Sequence, residues 1–436
     1  MQSVRSIMLK RINQLALIGG ILFTSAQAQN INSPYSRYGL GDLLPNQNIQ
    51  NRAMGGVSAG YADYQSINFA NPASYGQLQS VTYDFGVEVD NLSILSRNPV
   101  KKFSQASPII SYVNLGIPLK KGGGWGLVFG LRPSTRVKYK ILKVEQLTTG
   151  NTDESISTLF EGNGGSQQAY MGTGFRIGKL TAGFNAGFLF GSKDFGSRRI
   201  FNNDTVAYAK SNSATQSNYN GLVLNGGLQY TLKLNKKMNL RLGASGTLSS
   251  NLNATKSIIR QTFVYDANSA TIQIDSVFAQ KDISGKIKLP SSFTAGFVLE
   301  NNGKWQIGAD FTQSKWSQFR YFGETDQVKD NWEFHLGGQL IPSGGKSYWS
   351  NVAYRGGFVY GQDYVTAGGD LPKWGLSLGA GLPMRRVAYT NQFSIINLSM
   401  EFGQRGNKNS IVKENFFRLG LGLSMSDIWF IKRKSD

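Results

Sequence analysis

The chain has 436 residues, among them 52 glycines, with 12% aromatic and only 17% charged residues, no cysteine, and a formal net charge of +20. Lack of cysteine excludes disulfides and thiolate metal sites, and a single histidine leaves no imidazole-based metal cluster. Charge well below the roughly 25% of ordinary soluble domains points away from a surface wholly in water.

The first elements are those of a leader. Arg5, Lys10 and Arg11 precede an apolar run from Leu15 to Phe23, followed by Ala26-Gln27-Ala28. A basic start, a short apolar stretch and a small-x-small site predict a secretory signal over 1–28, cleaved after Ala28 to leave Gln29 first. Beyond it no apolar run approaches the roughly 18 residues of a membrane helix. A secreted basic chain meets no nucleic acid, so anionic lipid of the outer membrane is the expected counterpart.

Residues 29–78 carry "RAMGGVSAGYADYQSINFANPASY" at 52–75, nearly uncharged and rich in Gly, Ala, Ser and Asn. It has neither the helical nor the strand period.

From residue 79 the pattern becomes alternation of period two. "WGLSLGAGL" sets Trp374, Leu376, Leu378, Ala380 and Leu382 against Gly375, Ser377, Gly379 and Gly381. "FRLGLGLSM" repeats it from Phe417 to Met425, and "LTAGFNAGF" from Leu180 to Phe188. Fourteen such segments are expected, near 79–90, 106–118, 124–140, 167–178, 180–195, 217–234, 238–250, 287–300, 304–318, 331–341, 350–362, 373–383, 391–403 and 415–430. Alternate connections are short, such as Gly178-Lys179 and "NKK" at 235–237. The others are longer, near 141–166 and 251–286, the latter reading as a β-ribbon around "TIQIDSVF". Short turns on one side and long loops on the other predict an all-β fold, a 14-stranded antiparallel transmembrane β-barrel over 79–436 in the outer membrane. All seven tryptophans, at 125, 305, 316, 332, 349, 374 and 429, fall at strand ends or in turns, where interfacial girdles form.

A barrel of fourteen strands is too wide for its own side chains to fill. Residues 29–78 are therefore expected to form an N-terminal hatch, whose small residues Gly55, Gly56, Ala59, Gly60 and Ala62 allow close approach to a glycine-lined wall. Basic residues collect in the short turns and the tail, at 120, 121, 179, 236, 237, 304, 346, 385, 386, 432, 433 and 434. All face one membrane side, where anionic lipid or a periplasmic partner would meet them. Alternation places Asp84, Glu88, Asp310, His335, Glu333 and Arg418 on the lumen face, with Arg418 opposite Asp84 or Glu88 across the closing seam. His335 reads as a satisfied polar group and not as a catalytic base, "SGGK" at 343–346 as a turn, and no cofactor or metal is expected.

"GGVSAGYADYQSINFANPASY" resembles the N-terminal hatch of the FadL family of outer-membrane transporters for long-chain fatty acids and hydrocarbons. The matching residues are Gly55, Gly56, Ala59, Asp63, Ser66 and the Asn71-Pro72-Ala73 motif. The resemblance implies a fourteen-stranded barrel holding that hatch, a hydrophobic small-molecule ligand, and sideways exit through a gap at the third strand. In "GWGLVFGLRPSTRVKYK" Gly130 and Pro133 occupy that strand. Proline cannot complete a ladder, so the wall either opens near Gly130–Ser134 or the strand ends at Pro133 on the membrane rim. The chain departs from the family in ending six residues beyond Phe430 and in lacking an amphipathic capture helix in its long loops. A branch of the same fold serves type IX protein secretion as a shuttle subunit, which implies the alternative of a secretion partner and a protein cargo.

Overall fold

A computed structural model describes residues 33–97, 100–120, 122–149, 152–202, 209–266, 271–301, 303–342, 347–367, 369–384 and 394–427. The expected signal and its cleavage site, Lys121, Lys346, Arg385, Arg386, Trp429 and the basic tail lie outside the described residues.

Fourteen antiparallel strands close on themselves. They are β1 Val81–Arg97, β2 Val100–Pro118, β3 Trp125–Thr149, β4 Thr152–Ile177, β5 Leu180–Phe201 and β6 Lys210–Lys233. β7 is made of Met238–Thr247 and Ser250–Tyr265, and β8 of Thr271–Leu289 and Ser292–Asn301. β9 Trp305–Ser314, β10 Asn331–Leu340, β11 Ala353–Gln362, β12 Pro372–Pro383, β13 Ser394–Arg405 and β14 Val412–Asp427 complete the ring. Each pairs with the next in sequence, and β14 pairs with β1 through a register that sets Ser424 opposite Asp84.

Alternation decides which side is which. Leu376 and Leu378 on β12 are 50% and 64% exposed, whereas Gly375 and Ser377 between them are buried. On β14 Phe417, Leu419, Leu421 and Met425 are likewise exposed. An outward apolar row with a small or polar inward row is the inverse of a water-soluble sheet, and it suits strands that face hydrocarbon.

The expected strands are present, and several run further than expected. The loop near 141–166 is a ladder instead, with β3 and β4 paired out to Thr149 and Thr152. Exposed Lys140 and Lys143 break up the apolar row, in which Leu142 and Val144 are still 63% and 58% exposed, so the membrane signature weakens while the strand continues. The stretch 251–286 is the β-ribbon read from the sequence, formed by the upper segments of β7 and β8. Trp316 departs from the girdle pattern. It is 5% exposed and stacks on Tyr364 at 4.1 Å between ring centroids, inside the ring.

Residues 33–80 touch inward-facing groups of strands all around the ring. Ile49, Ile67, Phe69, Tyr75 and Leu78 form one buried cluster with Tyr112, Val128 and Tyr170 of the wall. A second cluster gathers Tyr35 and Leu40 with Trp316, Phe319, Tyr364 and Leu252. The hydrophobic core thus lies within the ring, between the N-terminal segment and its wall.

Candidate functional site

The N-terminal segment is fixed by backbone groups placed where the wall lacks side chains. A short helix, Ile49–Arg52, starts at Asn48, whose side-chain oxygen accepts from Asn51 N–H at 2.8 Å. It ends at Gly55 and Gly56, both with left-handed backbone (φ 67° and 88°). A Cβ on Gly55 would meet the Leu336 carbonyl at 2.6 Å. Gly55 N–H donates to Ser377 Oγ at 2.8 Å, and its carbonyl lies 2.7 Å from His335 Nδ1. Next, Asp310 Oδ2 accepts from the N–H groups of Ser58 and Ala59 at 2.6 and 2.8 Å.

The Asn-Pro-Ala motif works in the same way. Asn71 caps the turn Pro72–Gln77 by accepting from Ala73 N–H at 3.1 Å, and its amide donates to Ala59 O at 2.6 Å. A Cβ at wall positions Gly174, Gly183 or Gly227 would collide with Asn71 or Pro72. Asp63 and Ser66 act within the segment. Asp63 Oδ1 accepts from Gln65 N–H at 2.8 Å, and Ser66 Oγ accepts from the Asn48 amide at 3.0 Å.

Charged groups form two extended buried networks, one of which joins Arg52 and Arg418 through Glu401, 3.9 Å from Arg418. Arg52 donates to Glu401 at 2.6 Å and pairs with Glu88, its side chain 3% exposed. Arg405 joins Asp42 at 2.7 Å, Asp363 at 2.9 Å and Glu414 at 3.4 Å. Arg418 bonds Asp90 at 3.2 Å, and so does Arg136 at 3.1 Å. The seam pairing of Arg418 with Asp84 or Glu88 is therefore corrected. Asp90 is the direct cross-strand neighbour of Arg418, and Arg52 already takes Glu88. His335 faces Glu333 at 3.5 Å, and Glu333 also accepts from Lys373 at 2.9 Å. Among the described residues no cluster of three potential metal ligands occurs.

The wall is not continuous at β3. β2 and β3 pair from Pro118 and Gly126 only up to Val113 and Leu131. Gly130 stays paired on both sides, and a Cβ there would run into Asn114 and the Tyr170 ring. Its role is steric, below the break and not in it. Pro133 does not end the strand, which continues to Thr149 with a bulge at Ser134 against β4. Above Leu131 the free edge of β3 is met by the N-terminal segment. Asp42 and Leu43 pair with Arg136 and Thr135, Leu44 N–H donates to Ser134 O, and Ser33 N–H to Lys138 O. Tyr35 and Tyr364 hold this segment from above, donating to Val412 O at 2.7 Å and Gly41 O at 2.5 Å. Burial pushes the Tyr35 hydroxyl up to about 12, so it stays a donor.

Leu44 lines three neighbouring spaces. One of about 320 Å³ holds the ion networks. One of about 220 Å³ is lined by Leu40, Phe69, Leu189, Val223 and Trp316. The third, about 810 Å³, lies along the break with Pro133 and outward Phe188 and Phe190. Sequence reasoning missed Leu44, Arg405 and Arg52. A lone arginine in an otherwise neutral stretch was the available signal for Arg52.

A family model described as BamG matches residues 8–436. No curated protein sequence is similar. A solved Pseudomonas aeruginosa FadL homologue superposes with TM-score 0.58 at 12% identity, over 89% of this chain and 99% of that one. The Pseudomonas putida toluene transporter TodX gives TM-score 0.57 at 16% identity, over 90% and 100%. The Ralstonia pickettii toluene transporter TbuX gives 0.51 at 14%, over 88% and 99%. The fold is that of FadL-type barrels, as the resemblance at residues 55–73 led one to expect.

Proposed function

The chain belongs to the BamG family, and from that premise and its FadL-type barrel we propose an outer-membrane channel for small hydrophobic molecules. Residues 33–80 are its plug, and the break above Leu131 is a lateral exit toward the bilayer. One observation carries the reading. Leu44 and Thr135 border both the inner pocket and the groove beside Pro133, so two side chains stand between that pocket and the membrane-facing wall. The charged chamber is a poor host for hydrocarbon, because burying apolar matter against paired ions gains nothing for either. The other pocket is the better path, because its one charged lining residue, Arg132, lies over the Phe69 ring at 5.3 Å and its apolar residues fit a ligand with little polarity. The solutes named for TodX and TbuX are of this kind.

The test uses intact cells whose outer leaflet excludes the apolar dye N-phenyl-1-naphthylamine. Cells producing the protein are expected to take up the dye faster than cells carrying an empty vector. A disulfide between Leu43→Cys and Thr135→Cys, direct pairing partners, is expected to slow uptake until reduced. Uptake equal to the vector control refutes the transport reading. Separately, a folded variant lacking residues 29–78 is expected to conduct ions steadily in planar bilayers where the parent does not. Equal conductance would remove the plug.

A further inference from the structure

We infer that the wall has a second lateral exit, at the elbow of β7 and β8, which takes an uncharged hydrocarbon between the inner pocket and the bilayer. The inference rests on the transport reading above for its direction of traffic, but the site itself stands on separate geometry.

The elbow is a break in two ladders, β6–β7 and β7–β8, at one height. β6 pairs with the lower part of β7 up to Asn225 and Thr247, and with the upper part only from Asn220 and Asn253 onward. Between β7 and β8 the ladder stops at Thr247 and Ser292 and resumes at Ser250 and Leu289. Leu248, Ser249, Pro290 and Ser291 stand outside it. Pro290 has no N–H to offer a neighbour, which is why pairing cannot run through. Ser249 Oγ donates to Leu289 O at 2.7 Å, a side chain standing in for the missing ladder.

A groove of about 550 Å³ occupies the break, within the usual range for ligand sites. Its lining mixes both faces of the wall. Phe184, Leu224, Leu248 and Phe293 point outward and are 45–62% exposed, while Asn225 and Thr247 point inward. Asn185, Asn225, Thr247 and Ser292 also line the 220 Å³ pocket, so these four residues form the partition between the two spaces. Two hydrogen bonds between β6 and β7 close it, the side-chain bond from Asn225 Nδ2 to Thr247 Oγ1 at 3.2 Å and the backbone bond from Leu248 N–H to Leu224 O at 3.0 Å. The Asn225 carbonyl oxygen is buried without a partner, so the amide is held at one end only. Of the described lining groups the charged one, Lys315, sits beside Asp330 at 3.5 Å and recruits no anion. An uncharged apolar ligand is what remains.

Height supports the same use. With about 3.3 Å per residue and strands tilted about 40°, Thr247 stands roughly 20 Å above the turn before Met238. Pro133 stands at about the same height above Trp125 by the same estimate. Both breaks therefore open into the same leaflet.

The native chain has no cysteine, which makes the test clean. Gly226 faces the groove with nothing within 4 Å of where a Cβ would sit, so Gly226→Phe fills the groove without displacing a neighbour. In the dye assay Gly226→Phe and the Leu43→Cys/Thr135→Cys lock are each expected to lower the initial rate about twofold or more. Together they are expected to bring it to the vector level. If the lock alone abolishes uptake and Gly226→Phe changes nothing, the second exit is overturned. A second measurement does not depend on transport. In proteoliposomes a maleimide carried at mid-chain on a phospholipid is expected to modify Thr247→Cys at least tenfold faster than Ser245→Cys, and Gly226→Phe is expected to suppress this. Equal rates overturn the site. Modification of Thr247→Cys without dye uptake by the parent refutes the transport reading and leaves the elbow as a lipid-facing opening.

Discussion

The two breaks in the wall are closed by different means. At β3 the free edge is occupied by a piece of the same chain, which pairs at Asp42 and Leu43 and donates backbone N–H groups to Ser134 and Lys138. At the elbow of β7 and β8 nothing is inserted, and the wall's own groups span the partition through the Asn225–Thr247 side-chain bond and the backbone bond from Leu248 N–H to Leu224 O. A net hydrogen bond contributes about 1 kcal/mol, so the elbow is held by about 2 kcal/mol, less than the pairing and packing that hold the segment at β3. On the proposed reading the β3 break is a gate that needs the N-terminal segment to move. The elbow needs only a local shift of β6 and β7 side chains and one backbone bond.

Loosening the segment should therefore separate the two. The largest effect is expected from Arg52→Ala, which leaves Glu88 buried without its cation and Glu401 with only Arg418 at 3.9 Å, and costs about 3–5 kcal/mol. Urea denaturation followed by heat-modifiable migration should register the loss, and planar-bilayer recordings should show a new leak. A variant as stable and as silent as the parent would mean that the segment is held elsewhere. Leu44→Pro is a smaller, local change. It removes the donor to Ser134 O, worth about 1 kcal/mol, and a spin label at Leu43→Cys should gain mobility. A label at Leu248→Cys should not respond, because the elbow does not depend on that strand. Equal response at both positions would mean that the two breaks open together.

The barrel was legible because its signal is repeated in every strand. Outward Leu376 and Leu378 against inward Gly375 and Ser377 is a local pattern that needs no partner to interpret. The Asn-Pro-Ala stretch was legible for a similar reason, since capping and turn formation are local. Pro133 was visible as an interruption, yet its consequence was not, because what meets the free edge lies ninety residues away at Leu43. Pro290 obeys the same rule and fell inside the expected strand 287–300. The elbow depends on β7 and β8 breaking at one level beside an unbroken β6, which no single stretch records. The arginine networks were the least legible part. Arg405 takes Glu414 from the facing strand of its own hairpin but Asp42 and Asp363 from distant segments, and only the closed ring brings those two to it.

The smallest expected effect is a pH response confined to the β3 gate. Tyr35 sits under Arg405, whose guanidinium lies 4.8 Å from the ring centre, with Glu414 and Asp363 nearby. Burial raises its hydroxyl from an ordinary value of 10.0 to about 12, and in Tyr364 burial likewise pushes the hydroxyl well above the ordinary range. Both are neutral donors that hold residues 33–44, through Val412 O and Gly41 O. A folded value above the unfolded one means the neutral form is favoured by the fold. The stabilisation is complete below pH 10 and is lost as pH rises toward 12 and beyond. A spin label at Leu43→Cys is therefore expected to show an immobile spectrum at pH 8 and a growing mobile component above pH 10. In Tyr35→Phe, which has no proton to lose and no donor, the segment starts looser and the alkaline change is reduced to that of Tyr364. A label at Leu248→Cys should be flat over the same range. An alkaline transition of equal size at both labels would mean global loosening of the barrel, and the gate would lose its claim to a closure of its own.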